Sequence, residues 1–305
     1  MTEVPAQQIT FQTADGWTLA GDLYAGTDPT YAVMVSAGTG FPRRFYRHMA
    51  NHLAQRGAVV LTYDYRGIGG SKNGPVAGSA IDLPDWGRHD MPAAVEALAQ
   101  AAPGLPVTHI AHSVGGHFLG LMPNHDKIAR NAFLAVSTGY IGHHAPHYRP
   151  MEAYFWWGLG TYSLLRHDCL KPVGGWRGEP LPPKVFKTWR RWSHRRTYFQ
   201  KDLETLLAPQ HYDKVRSPIH SWLFTDDPIG TRKASETLLQ SYPNAPQLGT
   251  IKSPSDLGVK RIGHEGAFKP GRERLWDEIH DWLSAAAAPG HQALSEDIRQ
   301  PTRAV

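Results

Sequence analysis

A single cysteine, Cys169, stands in 305 residues. No disulfide can form within the chain, and a reducing compartment fits that composition. No apolar run is long enough to span a bilayer. The most apolar stretch, 153–165, is short and interrupted, so no stable membrane insertion is expected. Met1–Thr10 has neither a basic n-region nor an apolar h-region, so no signal peptide is expected and a cytoplasmic protein is the expectation. Internal repeats are missing as well. Metal-binding patterns are absent: His143, His144 and His147 cluster, but no HExxH helix accompanies them. Gly67-x-Gly69 begins a dinucleotide fingerprint, yet the third glycine position is Lys72 and Pro75 follows where a helix should start. No metal and no cofactor are therefore expected. Carboxylates are scarce in one region. From Tyr140 to Gln200 ten Lys and Arg stand against three acids, Glu152, Asp168 and Glu179. That segment carries +7 of a net +5, leaving −2 for the remainder. The basic character is regional and comes without a recognised nucleic-acid motif, so no nucleic-acid partner is expected.

What is present is a globular composition, 41% hydrophobic and 19% charged, at a length near the upper limit for one core. Ile9–Phe11 and Trp17–Tyr24 read as a hairpin turning at Asp15-Gly16. Four near-continuous apolar runs follow as buried strands: Tyr31–Gly38, Ala58–Gly67, Val107–Ser113 and Asn131–Tyr140. A fifth is Ile219–Asp227, and a short strand is expected near Gly249–Lys252 or Gly258–Ile262. Helical periodicity runs from Phe45 to Gly57. Further helices are expected over Asp90–Ala101, capped by Asp90, from Val114 onward, over Arg232–Ser241 and over Arg272–Ala285. Strands alternating with helices predict an α/β protein whose mostly parallel sheet is covered on both faces. Roughly seventy residues separate the last two long strands, well beyond an ordinary connection. They carry Trp156, Trp157, Trp176, Trp189 and Trp192 among other aromatics. A cap over the carboxyl edge of the sheet is the economical reading, because ligands bind at that edge. Its Trp156, Trp157, Trp189 and Arg190 are candidate substrate contacts, with Arg190 or Arg191 placed to read an anion.

The short stretch "HIAHSVGG" contains the chemistry. Ser113 sits between Ala111 and Gly115, the small-x-Ser-x-small spacing of a strand-to-helix elbow, where bulk at ±2 would clash. A serine hydroxyl needs a base to take its proton, and that base needs a carboxylate to hold its tautomer. "FTDD" puts Asp226 and Asp227 at the end of one strand. "GHEG" puts His264 in a later loop before the last helix. The order Ser, Asp, His and the common strand edge predict a triad. Either aspartate satisfies that reading.

Together "AHSVGG", "DYRGIGGS" (Asp64–Ser71), "FTDDPIGT" and "GHEGAF" resemble the α/β-hydrolase superfamily, in the serine-hydrolase branch grouped with the serine aminopeptidase S33, monoglyceride-lipase-like domain. The insertion's "LPPKVFKTWRRWSHRRTYF" is similar to a bacterial subfamily of hydrolases. The resemblance spans about Ile9 to Ala285. The tail 286–305, rich in Ala, Pro and polar residues, is expected to be disordered on its composition, and the resemblance implies the α/β-hydrolase fold with a helical cap inserted after the sixth strand: core 9–140 and 212–285, cap 141–211. It assigns the acid to Asp227 and makes "DYRGIGGS" a structural loop. It implies an oxyanion hole from the Val114 amide and, with Ala37-Gly38 in place of the superfamily's His-Gly, the Thr39 amide, or Gly40 if the alignment slips by one. The expected activity is hydrolysis of a carboxylic ester of a small-molecule acyl substrate. The alternatives are an acyltransferase on the same triad and a non-catalytic binding protein on a hydrolase scaffold. So few acids in the cap argue against holding a peptide's α-ammonium, and rank esters above peptides.

Overall fold

The computed structural model describes residues 3–172 and 174–287. Eight strands form one sheet: β1 (Gln7–Gln12), β2 (Thr18–Ala25), β3 (Tyr31–Ser36), β4 (Ala58–Tyr63), β5 (Val107–His112), β6 (Ile128–Leu134), β7 (Ile219–Phe224) and β8 (Gln247–Lys252). Their spatial order is β1-β2-β4-β3-β5-β6-β7-β8. β1 and β2 pair antiparallel, as does β2 with β4, and every later pair is parallel. Every residue of β3, β4 and β5 is buried, which is why those strands read as near-continuous apolar runs rather than alternating ones.

Eight α-helices accompany the sheet among the described residues: α1 (Arg47–Gln55), α2 (Leu83–Asp85), α3 (Met91–Ala101), α4 (Arg149–Ala153), α5 (Gly160–His167), α6 (Pro183–Ser193), α7 (Arg232–Leu239) and α8 (Glu273–Ser284). α4, α5 and α6 lie in the long insertion between β6 and β7. Among the described residues no helix is long and apolar enough to cross a membrane. The expected disordered tail lies outside the described residues from 288 onward, and 285–287 form a 3-10 turn continuing α8.

Several local expectations change. The helix containing Pro92 begins earlier, at a capping box built by Asp82 and Asp85, and runs through a π-helical stretch into α3. Asp90 is therefore not a cap. It is fully buried, and its carboxylate takes the Arg66 backbone N–H at 2.8 Å and the Arg66 Nε–H at 2.7 Å. No α-helix starts at Val114. Two 3-10 turns, Ser113–Gly116 and Leu119–Leu121, take its place. Glycines 115, 116 and 120 have low helix propensity, and all three are pressed against neighbours: a Cβ on Gly116 would meet Val136 at 2.5 Å, and one on Gly120 the Tyr212 ring at 2.4 Å. Strands also end earlier than their apolar runs. The chain leaves the ladder at Tyr63 and at Leu134 because the next residues belong to loops at the carboxyl edge. The loop after β4 wraps Asp64, whose carboxylate accepts from the Arg43 and Gly70 amides.

The order of connections fixes where a ligand can sit. From β3 the chain moves to β4 on one side, and from β5 to β6 on the other. The carboxyl ends of β3 and β5 therefore flank a switch-point crevice. Stability depends on the sheet's central packing. Phe133 of β6 is fully buried, with its ring against His109 and Tyr242. Phe133→Ala is expected to lower the unfolding free energy by about 3–5 kcal/mol. Urea unfolding should show this as a lower midpoint at unchanged slope.

Candidate active site

Ser113 follows β5 directly. Its φ of +50° lies in the left-handed region, a costly conformation for a residue with a Cβ that persists only where the surroundings impose it. The surroundings are visible. A Cβ on Gly115 would lie 2.3 Å from the Ser36 carbonyl oxygen at the end of β3. Only glycine allows the turn to approach the neighbouring strand so closely, which tilts the Ser113 side chain up into the crevice.

His264 comes from the loop between β8 and α8. The Ser113 hydroxyl donates to His264 Nε2 at 2.9 Å, and His264 Nδ1–H donates to Asp227 Oδ2 at 2.8 Å. Asp227 follows β7 and its side chain is wholly buried. It also accepts the Ile229 N–H at 2.8 Å. The two aspartates thus separate cleanly. Asp226 does not touch the imidazole. Its carboxylate accepts the N–H groups of Ile262 and Gly263 at 2.8 and 3.0 Å, anchoring the loop that carries His264.

Electrostatics follow this geometry. Burial alone would push the His264 imidazole down, but the adjacent Asp227 carboxylate outweighs it and leaves the pKa above the ordinary value. Burial works to raise the Asp227 carboxyl. The His264 charge, its hydrogen bond and the backbone donors overcome it, and the group stays below the usual carboxylate range. A hydroxyl bonded to an imidazole that is itself held by a buried carboxylate can give up its proton to that imidazole during attack on a carbonyl.

The Val114 N–H lies at the start of its 3-10 turn, where no preceding helical carbonyl exists to accept it. Thr39 is buried in the turn after β3, beside the same crevice. Among the described residues neither amide is taken by another protein group. Gly38 must be glycine here, since a Cβ would lie 2.8 Å from the His112 ring.

The sequence reading passed over His112. It occupies the position before Ser113 in a fully buried strand, and burial pushes its pKa down to about 3, so the ring is neutral. Its Nε2 faces the His264 carbonyl at 3.0 Å, so Nε2 carries the hydrogen and donates. Nδ1 then accepts from the Tyr46 hydroxyl at 2.8 Å, and the Tyr46 oxygen accepts the Gly38 N–H at 2.9 Å. One proton-ordered chain thus joins the turn after β3, the elbow and the histidine loop. Being one of two histidines, with His109, in a fully buried strand was its only mark in the sequence.

The four residues singled out in the insertion lie apart from this line. Trp156 is buried against Phe186 and Trp189. With Trp157, Tyr140, Glu152 and His194 it borders a cavity of about 500 Å³. The Arg190 guanidinium lies over the Trp157 ring at 4.9 Å and donates to Thr161 Oγ1 at 3.2 Å. Arg191 is paired with Asp202 at 2.7 Å and is not free to read an anion. A carboxylate also stands nearer the histidine cluster than expected, because the Glu152 side chain bonds His144. Among the described residues no group of three or more His, Cys, Asp or Glu is arranged to hold a metal ion.

Residues 27–161 match the family model described as serine aminopeptidase, S33. No curated protein gives a sequence match. Among solved structures, the chain is similar to a soluble variant of monoglyceride lipase from Saccharomyces cerevisiae in complex with a substrate analog (16% identity, 94% of this chain and 96% of that one, TM-score 0.61). It is similar also to an esterase of Pyrococcus furiosus (14% identity, 93% and 92%, TM-score 0.62). A third is a thermostable carboxyl esterase from Bacillus coagulans in complex with glycerol (15% identity, 93% and 99%, TM-score 0.62). At these identities the structures speak for the fold. The family match over residues 27–161 and these neighbours together fit the α/β-hydrolase fold and support an enzyme of the serine-hydrolase kind.

The elbow gives a direct test. Gly115→Ala drives a methyl group into a backbone oxygen that cannot swing aside, and is expected to destabilise by about 1–3 kcal/mol. A thermal unfolding scan should show the loss, and an unchanged melting temperature would contradict the packing.

Proposed function

We propose that the enzyme hydrolyses carboxylic esters through an acyl-enzyme on Ser113. The observation that carries this reading is the unbroken line from the Ser113 hydroxyl through His264 to buried Asp227, with Ser113 held at positive φ. In the proposed cycle Ser113 Oγ attacks the ester carbonyl while His264 Nε2 takes its proton. Asp227 keeps the imidazole in the required tautomer and balances the imidazolium. The Val114 and Thr39 amides stabilise the oxyanion. His264 then delivers the proton to the departing alkoxide. Water, giving its proton to the same nitrogen, attacks the acyl-enzyme, and collapse of the second tetrahedral intermediate returns the proton to Ser113 Oγ and releases the acid.

Residues 141–211 serve in this reading as a cap over the site, with the preceding and following residues as the hydrolase core. Preference for an ester over a peptide is supported by where the cap's glutamates go. Glu152 is engaged by His144, and Glu179 by Lys72 and Arg44. An aromatic cap favours an apolar acyl or alcohol group. The substrate is a small molecule, and the chemistry requires no cofactor.

A fluorophosphonate probe should label the wild type, and Ser113→Ala should lose labelling together with turnover of p-nitrophenyl esters from acetate to palmitate. A folded wild type that stays unlabelled at every pH where His264 is neutral would sink the proposal. The pH dependence supplies a second test. His264 must be neutral to act as base, and its pKa is raised, so kcat/KM should climb with pH through a value above that of free imidazole. Asp227→Asn removes the charge that raises it. The limb should move to lower pH while the plateau falls on the order of 10⁴-fold. Asp226→Asn, which leaves the imidazole's partner in place, should keep the position of the limb.

A further inference from the structure

The insertion reaches back onto the turn that follows β3. Phe41 N–H donates to the Gly38 carbonyl at 3.1 Å, closing a turn over Gly38–Phe41, and Gly40 has φ +76° at its third position. That is the type II shape, which calls for glycine there. The near half of the turn is held from the core by Tyr46, which takes the Gly38 N–H. The far half is held from the insertion. Glu179 N–H donates to the Gly40 carbonyl at 2.8 Å. The Trp176 indole lies against Gly40 so closely that a Cβ there would be 2.5 Å from the ring. Trp176 Nε1–H donates to the Glu179 carbonyl at 3.0 Å, tying ring and strap together. The Glu179 carboxylate is clamped to the core by Lys72 at 2.7 Å and Arg44 at 3.0 Å. Burial works against that charge, but the two cations outweigh it and keep the carboxyl below its ordinary range.

Four consecutive residues, Trp176–Glu179, thus bring a backbone donor and an aromatic ring to one turn, and a carboxylate to its flanks. Without them Gly40, lacking a Cβ, is free to leave its conformation, and the peptides on either side move with it. A donor aimed at a developing oxyanion loses most of its value when displaced by about 1 Å.

We infer that Trp176 and Glu179 are positioning residues for the oxyanion turn, making the cap a determinant of turnover as well as of access. The inference rests on the reading of Thr39 as an oxyanion donor. Neither residue touches the reacting atoms.

The test uses the full chain with Trp176→Ala, Trp176→Phe and Glu179→Gln, and Leu165→Ala on the exposed face of α5 (85% exposed) as control. With p-nitrophenyl acetate, too short to need the cap for binding, Trp176→Ala should lower kcat roughly tenfold or more at a KM within about twofold. Trp176→Phe should recover most of that loss. Raising NaCl from about 0.05 to 0.5 M, which screens the partly exposed clamp, should reduce kcat of the wild type and leave Glu179→Gln unmoved. Leu165→Ala should match the wild type. Loss confined to KM, a Phe variant as poor as the Ala variant, or the same salt response in Glu179→Gln would overturn the inference. Hydrogen exchange over residues 37–46, read by mass spectrometry, needs no turnover. It should quicken about tenfold in Trp176→Ala, and unchanged exchange overturns the positioning role whether or not the wild type cleaves esters. A wild type that exchanges as described yet resists the fluorophosphonate would instead count against the hydrolase reading alone.

Discussion

Between Gly115 and the carbonyl of Ser36 there is no room for a side chain, since a Cβ would come within 2.3 Å of the oxygen. This approach joins the turn after β5 to the end of β3, the two strands that meet where the sheet's connections diverge. It forces the chain to reverse within a few residues, and Ser113 takes up the positive φ that such a reversal demands. Fully buried strands on both sides prevent the strain from relaxing, because a close-packed sheet transmits displacement rather than absorbing it. The position of a half-buried hydroxyl at the crevice is thus a consequence of packing several residues away.

Polar groups around the crevice are few, buried and almost all committed. Asp227 holds His264, Asp226 holds the backbone of the His264 loop, and His112 and Tyr46 link that loop to the turn after β3. Each of these loops leaves a different strand, so no local sequence preference could keep them in register. Hydrogen bonds in a low-dielectric interior can, because an unmade bond there costs more than a made bond gains. The arrangement also keeps protons in defined places. A neutral His112 with its hydrogen on Nε2 leaves one consistent orientation for the Tyr46 hydroxyl.

The insertion's charge works differently from what +7 suggests. Arg191 and Arg195 both meet Asp202, and Arg190 lies over aromatic faces. Arg44 and Lys72, cations of the core, reach up to Glu179. Three of its ten basic side chains are therefore used to fasten the segment to itself, while core cations fasten it to the core. The insertion's aromatic residues, Trp156 and Trp157 among those that border the cavity, are in keeping with the proposed ester substrate.

The alternation of buried strands and helices, the order of Ser113, Asp226-Asp227 and His264, and the small residues at 111 and 115 were all legible in the sequence, because hydrophobic period and elbow sterics are local. Choosing between two adjacent aspartates was not local: one carboxylate faces a ring and its neighbour faces a loop, a difference of side-chain direction that only the packed β7 edge creates. The expected helix after Ser113 failed for the same reason, as glycines needed for close contact with Ser36, Val136 and Tyr212 leave too little propensity for an α-helix. Nor could spacing reveal that Trp176, more than sixty residues beyond Ser113, would rest on Gly40. The sequence by itself determined the fold class and the order of the candidate reactive groups, through periodicity and side-chain chemistry. Tertiary structure alone decided which groups share a proton and which loops hold one another, since those depend on distances between segments that meet only when the sheet closes its core.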